Sequence, residues 1–122
     1  MFFPAAGWFA AFLLTLAIEI PIAGYLLRRV EPDRVRLMIL IAFANLATHP
    51  IVWYVITQLF LIGTWEYLLV AESWAVAVEA LFYAVAFRGI GPRRAIAVAV
   101  IANAASFIAG AIVGNRWPEV FG

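Results

Sequence analysis

Four long apolar stretches occupy almost all of this 122-residue chain. They run over Ala5–Leu27, Leu37–Ile62, Trp65–Phe87 and Ala95–Asn115. A helix needs about 20 predominantly apolar residues to cross the hydrocarbon core of a bilayer, and each stretch is long enough to do so. Because the connections between them are short, we predict an all-α bundle of four transmembrane helices that forms a single membrane domain over residues 1–122.

The composition excludes most classes of soluble protein. Hydrophobic residues make up 67% of the chain and charged residues 12%, whereas a typical soluble domain has about 45–50% apolar and about 25% charged residues. A soluble fold, a disordered tail and a nucleic-acid-binding module are therefore excluded, and the lipid bilayer is the expected partner. The sequence has no cysteine, which excludes disulfides and metal sites with cysteine ligands.

The arginines predict the orientation of the chain in the membrane. The sequence contains no lysine, and all but one of its arginines lie in the loops at 28–36 and 88–94. By the positive-inside rule, both loops are cytoplasmic and both termini lie outside. Trp8, Trp65 and Trp117 then fall at the outer interface, where an aromatic belt is expected.

The two halves of the chain repeat a spaced set of polar residues. Glu19, Arg28 and Pro32 recur 60 residues later as Glu79, Arg88 and Pro92, and Arg36, Asn45 and Thr48 recur 58 residues later as Arg94, Asn103 and Ser106. Because Glu and Asn are rare in membrane spans, the recurrence favours a duplication of a two-helix unit, with repeats at about 5–62 and 65–115. Such repeats would be related by a pseudo-two-fold axis along the membrane normal.

Glu19, Glu79, Asn45 and Asn103 form the core of the predicted site. Each lies nine residues from an arginine, so all four should sit about 13 Å from the cytoplasmic end of their helices. Leaving a charged side chain in hydrocarbon costs about 2.5–3.5 kcal/mol on insertion scales, which favours an inward-facing ring of all four. Since desolvation and repulsion oppose two charges at one depth, we expect the two carboxyls to share one proton or exchange it for a cation.

Other polar residues extend this ring on the same helix faces. His49 and Glu72 lie one and two turns outward, where they could relay protons or ions. Thr48, Ser106 and Tyr83 lie within one turn of the ring, and we expect them to have auxiliary roles.

Pro21 and Pro50 lie inside the first and second spans. Each lacks an N–H group and clashes with the carbonyl four residues back, so we expect kinks beside Glu19 and His49. The freed carbonyls could serve as cation ligands. The alternative is that the prolines only shape helix packing.

Three functional hypotheses follow from these patterns. The first is a site that binds or translocates a proton or small cation. The second is a non-catalytic transmembrane subunit of a larger membrane complex, in which His49 could ligate a pigment or haem. A homodimer is the other partner considered, and no cofactor is expected unless a metal ion or pigment binds at His49. The third is an intramembrane enzyme, although no hydrolase or phosphate-loop motif occurs in the sequence. A purely structural role, in which a protonated Glu and an Asn join helices, competes with all three.

Three motifs carry a resemblance to known sequences. They are Asn-x-x-Thr-His-Pro at 45–50, Glu-x6-Glu-x3-Tyr at 72–83 and Asn-x-x-Ser-Phe-x-x-Gly at 103–110. In these motifs the chain resembles a group of small bacterial multi-pass membrane proteins of uncharacterised function. The resemblance implies a protein of the bacterial cytoplasmic membrane and adds no activity.

Overall fold

The computed structural model describes residues 5–62 and 64–121. Within this part of the chain there are four long helices, which we label α1 (Ala5–Leu27), α2 (Arg34–Leu59), α3 (Trp65–Ala86) and α4 (Pro92–Arg116). Each of them is long and apolar enough to cross a membrane. The predicted all-α bundle of four membrane-spanning helices is therefore confirmed at this level.

The second and fourth helices begin three residues earlier than the hydrophobic pattern predicts. At the start of α2, the Asp33 carboxylate accepts hydrogen bonds from the backbone N–H groups of Val35 and Arg36, both at 3.1 Å. At the start of α4, Pro92 occupies the first turn, where its missing N–H costs nothing. Both starts are thus set by capping residues and polar first turns, which a search for apolar stretches does not detect.

The second helix changes geometry directly after Pro50. It is α-helical over Arg34–Ile51, π-helical over Val52–Ile56 and α-helical again over Thr57–Leu59. Pro50 cannot donate to the carbonyl four residues back, so the regular α-helical ladder is interrupted at this point. Single π-helical turns inside α-helices often occur at functional sites.

The four helices are arranged as a square. Each packs against its neighbours along the chain, and α4 returns to pack against α1, so that α1 faces α3 and α2 faces α4 across the diagonals. The contacts of α4 with α1 and α3 are more extensive than those that α2 makes. The α2 corner of the square is therefore the more loosely packed one.

The two arginine-bearing loops, at 28–33 and 87–91, lie together at one end of the bundle, which we call the arginine end. Beside these loops, the Arg94 guanidinium donates a hydrogen bond to the Leu26 carbonyl oxygen at 2.9 Å. This bond joins the start of α4 to the end of α1.

The opposite end, which we call the terminal end, holds the beginning of α1 and the end of α4. A short 3₁₀ turn, Pro118–Val120, follows α4 and packs against α1. The Phe121 carbonyl lies so close to Gly7 that a side chain at position 7 would collide with it. Glycine is therefore required at position 7 for this approach.

The buried apolar core lies in the half of the bundle nearest the arginine end. Its members all lie on the arginine side of the four predicted polar residues: Ala23, Leu27, Leu37, Ile41, Ala44, Ala80, Tyr83, Phe87, Ile90, Ala95, Val98, Ala99 and Ala102. The many alanines let the helices approach closely, as is typical of packing in membranes. Large apolar side chains such as Leu81 and Val85 point outward and are exposed, as a lipid-facing surface requires.

Candidate functional site

The four residues of the predicted ring are all buried in the interior of the bundle. Glu19 and Glu79 are 0% exposed, Asn45 is 1% exposed and Asn103 is 7% exposed. The two glutamates come from the diagonally opposed helices α1 and α3, and their carboxyls lie beside each other. Two carboxyls that are far apart in sequence thus meet at the centre of the bundle.

Each carboxyl has one oxygen with a hydrogen-bond donor and one without. Glu19 Oε1 accepts from the Ser106 hydroxyl at 2.7 Å, and Glu79 Oε2 accepts from the Asn103 side-chain amide. The other two oxygens, Glu19 Oε2 and Glu79 Oε1, are buried and receive no hydrogen bond from any other described residue. Since a buried oxygen without a partner is costly, this pair of carboxyls is short of a donor or a cation.

The same local bonds hold the polar residues of α2 and α4 in place. Asn45 and Asn103 each donate to the carbonyl oxygen four residues earlier, at 3.0 and 2.8 Å. Thr48 donates to the carbonyl oxygen three residues earlier, and the Ser106 hydroxyl lies at the same distance, 3.1 Å, from the carbonyl oxygen three residues before it. The positions that match in sequence therefore also match in local geometry, although only Asn103 and Ser106 have hydrogen bonds of defined length to the carboxyls.

A cavity of about 400 Å³ lies between the four helices in the half of the bundle nearest the terminal end. Glu19, Asn45 and Asn103 lie at its inner limit, and Glu72 and His49 lie on its walls. Five of the six principal predicted site residues thus line the cavity, and the sixth, Glu79, lies behind it.

Glu79 and Tyr83 lie behind the cavity. Glu79 forms, with Glu19, Asn45 and Asn103, what we call the polar layer, and Tyr83 lies on the arginine side of it. Neither lines the cavity, and Tyr83 is 0% exposed within the apolar core, where its ring packs against Phe87. The Tyr83 hydroxyl is buried and has no hydrogen-bond partner among the described residues. Tyr83 therefore closes the arginine side of the layer.

His49 lies in an aromatic pocket at the edge of the cavity. Its Nε2 is 3.2 Å from the Thr15 hydroxyl, its ring is stacked on Trp53, and Phe12 meets it edge-on. Its Nδ1 is buried and has no partner in the described part of the chain. Within residues 5–62 and 64–121, no three His, Asp or Glu residues come together in a way that could hold a metal ion, so the residues here do not supply the further protein ligands that a metal on His49 would need.

Thr15 and the aromatic lining are the site residues that sequence analysis missed. Thr15 lies four residues before Glu19, so helical spacing from the glutamate could have placed it on the same face. Trp53 and Phe107 also line the cavity, and each lies four residues after a predicted site residue, His49 or Asn103, so the same spacing could have placed them. Tyr67 lines the cavity as well and has no such signal.

The two prolines differ in their relation to the site. Pro50 is half-buried and directly follows His49, whereas Pro21 is exposed and α1 stays α-helical through it. Pro21 leaves the Ala17 carbonyl without its helical donor, but neither Pro21 nor Ala17 lines the cavity. Pro50 is therefore the proline whose effect on the backbone occurs beside the site.

Four apolar helices around a pair of buried, hydrogen-bonded carboxyls define this chain as a small polytopic membrane protein. No protein-family model matches the sequence, and no curated protein or solved structure matches it. The four long apolar helices are thus consistent with a small four-span membrane protein, and no family is identified.

Proposed function

We propose that this protein binds or translocates a proton or a small cation at the Glu19–Glu79 pair. The observation that carries the proposal is that both carboxyls are fully buried, adjacent, and left with one oxygen each without a donor. Ionisable groups within membrane spans are rare, almost always face the bundle interior or a water-filled cavity, and mark ion or proton pathways. A single proton or cation between the two carboxyls would satisfy both free oxygens.

The surroundings of Glu19 suit a carboxyl that gains and loses a proton. Ser106 has one hydroxyl hydrogen and lies 2.7 Å from Glu19 Oε1 and 3.1 Å from the Asn103 carbonyl. The hydroxyl can donate to Glu19 when that group is ionised, and it can accept from Glu19 while donating to the carbonyl when that group is protonated. The same serine thus serves both charge states without a change of position.

The distribution of packing supports access to the pair from one side. The cavity extends from the polar layer toward the terminal end, whereas Leu27, Ile41 and Tyr83 fill the interior on the arginine side of the layer. Transport across the membrane would require these three side chains to separate while the cavity closes. Alternation of this kind around a fixed central site is the usual mechanism of small transporters built from repeats.

The proposal includes a topology and an origin for the bundle. We infer two tandem two-helix repeats, with both termini outside and both arginine loops in the cytoplasm of a bacterial cell. The matching bonds of Asn45 with Thr48 and of Asn103 with Ser106 support the duplication. The location of both arginine loops at one end supports the orientation.

The test is ion flux in liposomes that contain the purified protein. A proton gradient or a membrane potential should drive flux through the wild-type protein, and Glu19→Gln should abolish it because glutamine cannot carry a proton. The matched control is Glu66→Gln, which removes an exposed carboxyl at the terminal end that does not line the cavity. Wild-type liposomes without flux would contradict translocation, and equal flux through Glu19→Gln would contradict the assignment of the site to the carboxyl pair.

The aromatic pocket of His49 favours one second candidate, a subunit of a larger membrane complex. Stacking on Trp53 and a free, buried Nδ1 are features that a pigment- or haem-binding histidine would share. Protein purified from native membranes should then be coloured or bound to partner chains, and His49→Phe should remove the colour. If the purified protein is colourless, has no partner chains and supports flux, the proton or cation site is the correct function and the subunit is not.

A further inference from the structure

The cavity is much larger than a proton or a bare metal ion requires. Its volume is about 400 Å³, and liquid water occupies about 30 Å³ per molecule, so it could hold about thirteen water molecules. Pockets that bind small organic molecules typically measure about 300–1,000 Å³. The space above Glu19 is thus of the size that a small organic ligand fills.

The charged groups on the cavity wall are acidic. Glu19 and Glu72 both line it, no arginine appears among its described lining residues, and the sequence contains no lysine. The other titratable groups that face the cavity are His49 and Tyr67. An anionic ligand would meet two carboxyls and no fixed positive charge, so the electrostatics favour a cation.

Glu19 supplies an independent sign that the site is built to receive a ligand. Its side chain is fully buried, it lies at the inner limit of the cavity, and its Oε2 has no hydrogen-bond donor from another described residue. A buried carboxyl oxygen of this kind is costly unless a positive group or a donor reaches it. A cationic head group at the inner limit of the cavity would meet that requirement.

The remaining walls suit the apolar part of such a ligand. Trp53, Tyr67, Phe107 and Phe121 contribute aromatic rings, and alanine and leucine side chains fill the spaces between them. Aromatic faces attract organic cations when the charge lies within about 6 Å of the ring. A fully hydrated inorganic ion would gain nothing from these surfaces.

We infer that the cavity binds a small organic cation, an amine or a quaternary ammonium compound of about a dozen non-hydrogen atoms. Its charged group lies between Glu19 and Glu72, and its apolar part packs against the aromatic walls. The inference rests on the proposed function, because it uses Glu19 as the cation-binding carboxyl, and it names the class of cation.

The test uses benzyltrimethylammonium, which matches the cavity in size and carries a permanent charge. Radiolabelled compound is titrated onto the protein in lipid nanodiscs, and neopentylbenzene, its uncharged isostere, is the competitor. We expect saturable binding that the isostere does not displace. Absence of saturable binding would overturn the inference, and so would equal displacement by the isostere, since that result would indicate an apolar cavity indifferent to charge.

A pair of glutamine variants on α3 locates the binding site. Glu72→Gln should weaken binding at least tenfold, because it removes a carboxyl from the cavity wall. Glu66→Gln removes an exposed carboxyl from the same helix and should leave the affinity unchanged. Thermal unfolding of both variants verifies that they are folded. Equal affinities for the two folded variants would overturn the inference.

The result can be separated from the test of the proposed function. If benzyltrimethylammonium does not bind but Glu19→Gln abolishes proton-driven flux, the inference fails and the proposed function stands. If the compound binds in a manner that depends on Glu72 but no flux is found for any cation, the protein is a binding protein and translocation is wrong.

Discussion

The replacement of Glu79 by glutamine and by leucine separates a functional carboxyl from a structural one. Glutamine keeps the shape of the side chain and its hydrogen-bonding atoms. Its Oε1 can accept from Asn103, as Glu79 Oε2 does now, and its amide can donate to the free oxygen of Glu19. Leucine fills similar space but makes neither bond.

The magnitudes follow from the number of bonds that each variant keeps. Hydrogen bonds between helices in membranes contribute about 0.6 kcal/mol on average and up to about 1.7 kcal/mol. Glu79→Leu loses the bond from Asn103 and should lower the free energy of unfolding by about 0.6–1.7 kcal/mol. Glu79→Gln retains that bond and should change the free energy of unfolding by less than about 0.6 kcal/mol.

The assay combines unfolding in mixed detergent micelles with flux in liposomes. We expect Glu79→Gln to unfold nearly as the wild type does and to carry at most a tenth of its flux, because glutamine cannot exchange a proton. If Glu79→Gln is stable and retains full flux, the carboxyl only joins helices, and the reasoning that assigns it a transport role is refuted.

Two further predictions concern topology and the asymmetry of the polar layer. Reporter fusions should place the C-terminus outside the cell and the 29–36 loop in the cytoplasm, and a cytoplasmic C-terminus would disprove the orientation. Asn103→Leu should destabilise the protein by about 1 kcal/mol more than Asn45→Leu, since Asn103 has a hydrogen bond of defined length to Glu79 on the neighbouring helix α3 and Asn45 has none to a glutamate. Equal losses in an unfolding titration would show that this bond adds nothing.

The architecture could be predicted from the sequence because it depends on long-range averages. Segment length, apolar content and the position of arginines are summed over 20 or more residues, so single substitutions hardly affect them. The inward placement of Glu19 and Glu79 was also predictable, because the cost of a carboxyl in lipid leaves few alternatives. Helix spacing alone then puts His49 on the same face of its helix as Asn45, and Glu72 on the same face of its helix as Glu79.

The cavity itself could not be predicted in the same way. Its existence depends on how closely particular helices approach, and that distance is set by side-chain packing across the bundle and not by any pattern along one helix. The backbone of α2 also changes to π-helical geometry at Val52–Ile56, where Trp53 lines the cavity. An extra residue in a helical turn rotates everything that follows, so a strict α-helical projection misplaces side chains beyond that point.

The departure from symmetry at α2 connects the sequence to the proposed access route. Two identical repeats would pack their halves alike, and a bundle packed equally tightly on all sides would bury its carboxyls without a path to them.

The chain has Pro50 in α2, whereas the second half has alanine-rich, proline-free helix at the matching position in α4. Accordingly, α4 packs closely against both neighbours, while α2 packs less closely and contributes a wall of the cavity. The physical reason is that a helix with an interrupted hydrogen-bond ladder cannot present a straight, continuous ridge to its neighbours. Pro50 therefore interrupts α2 on the more loosely packed side of the square, beside the space through which Glu19 can be reached.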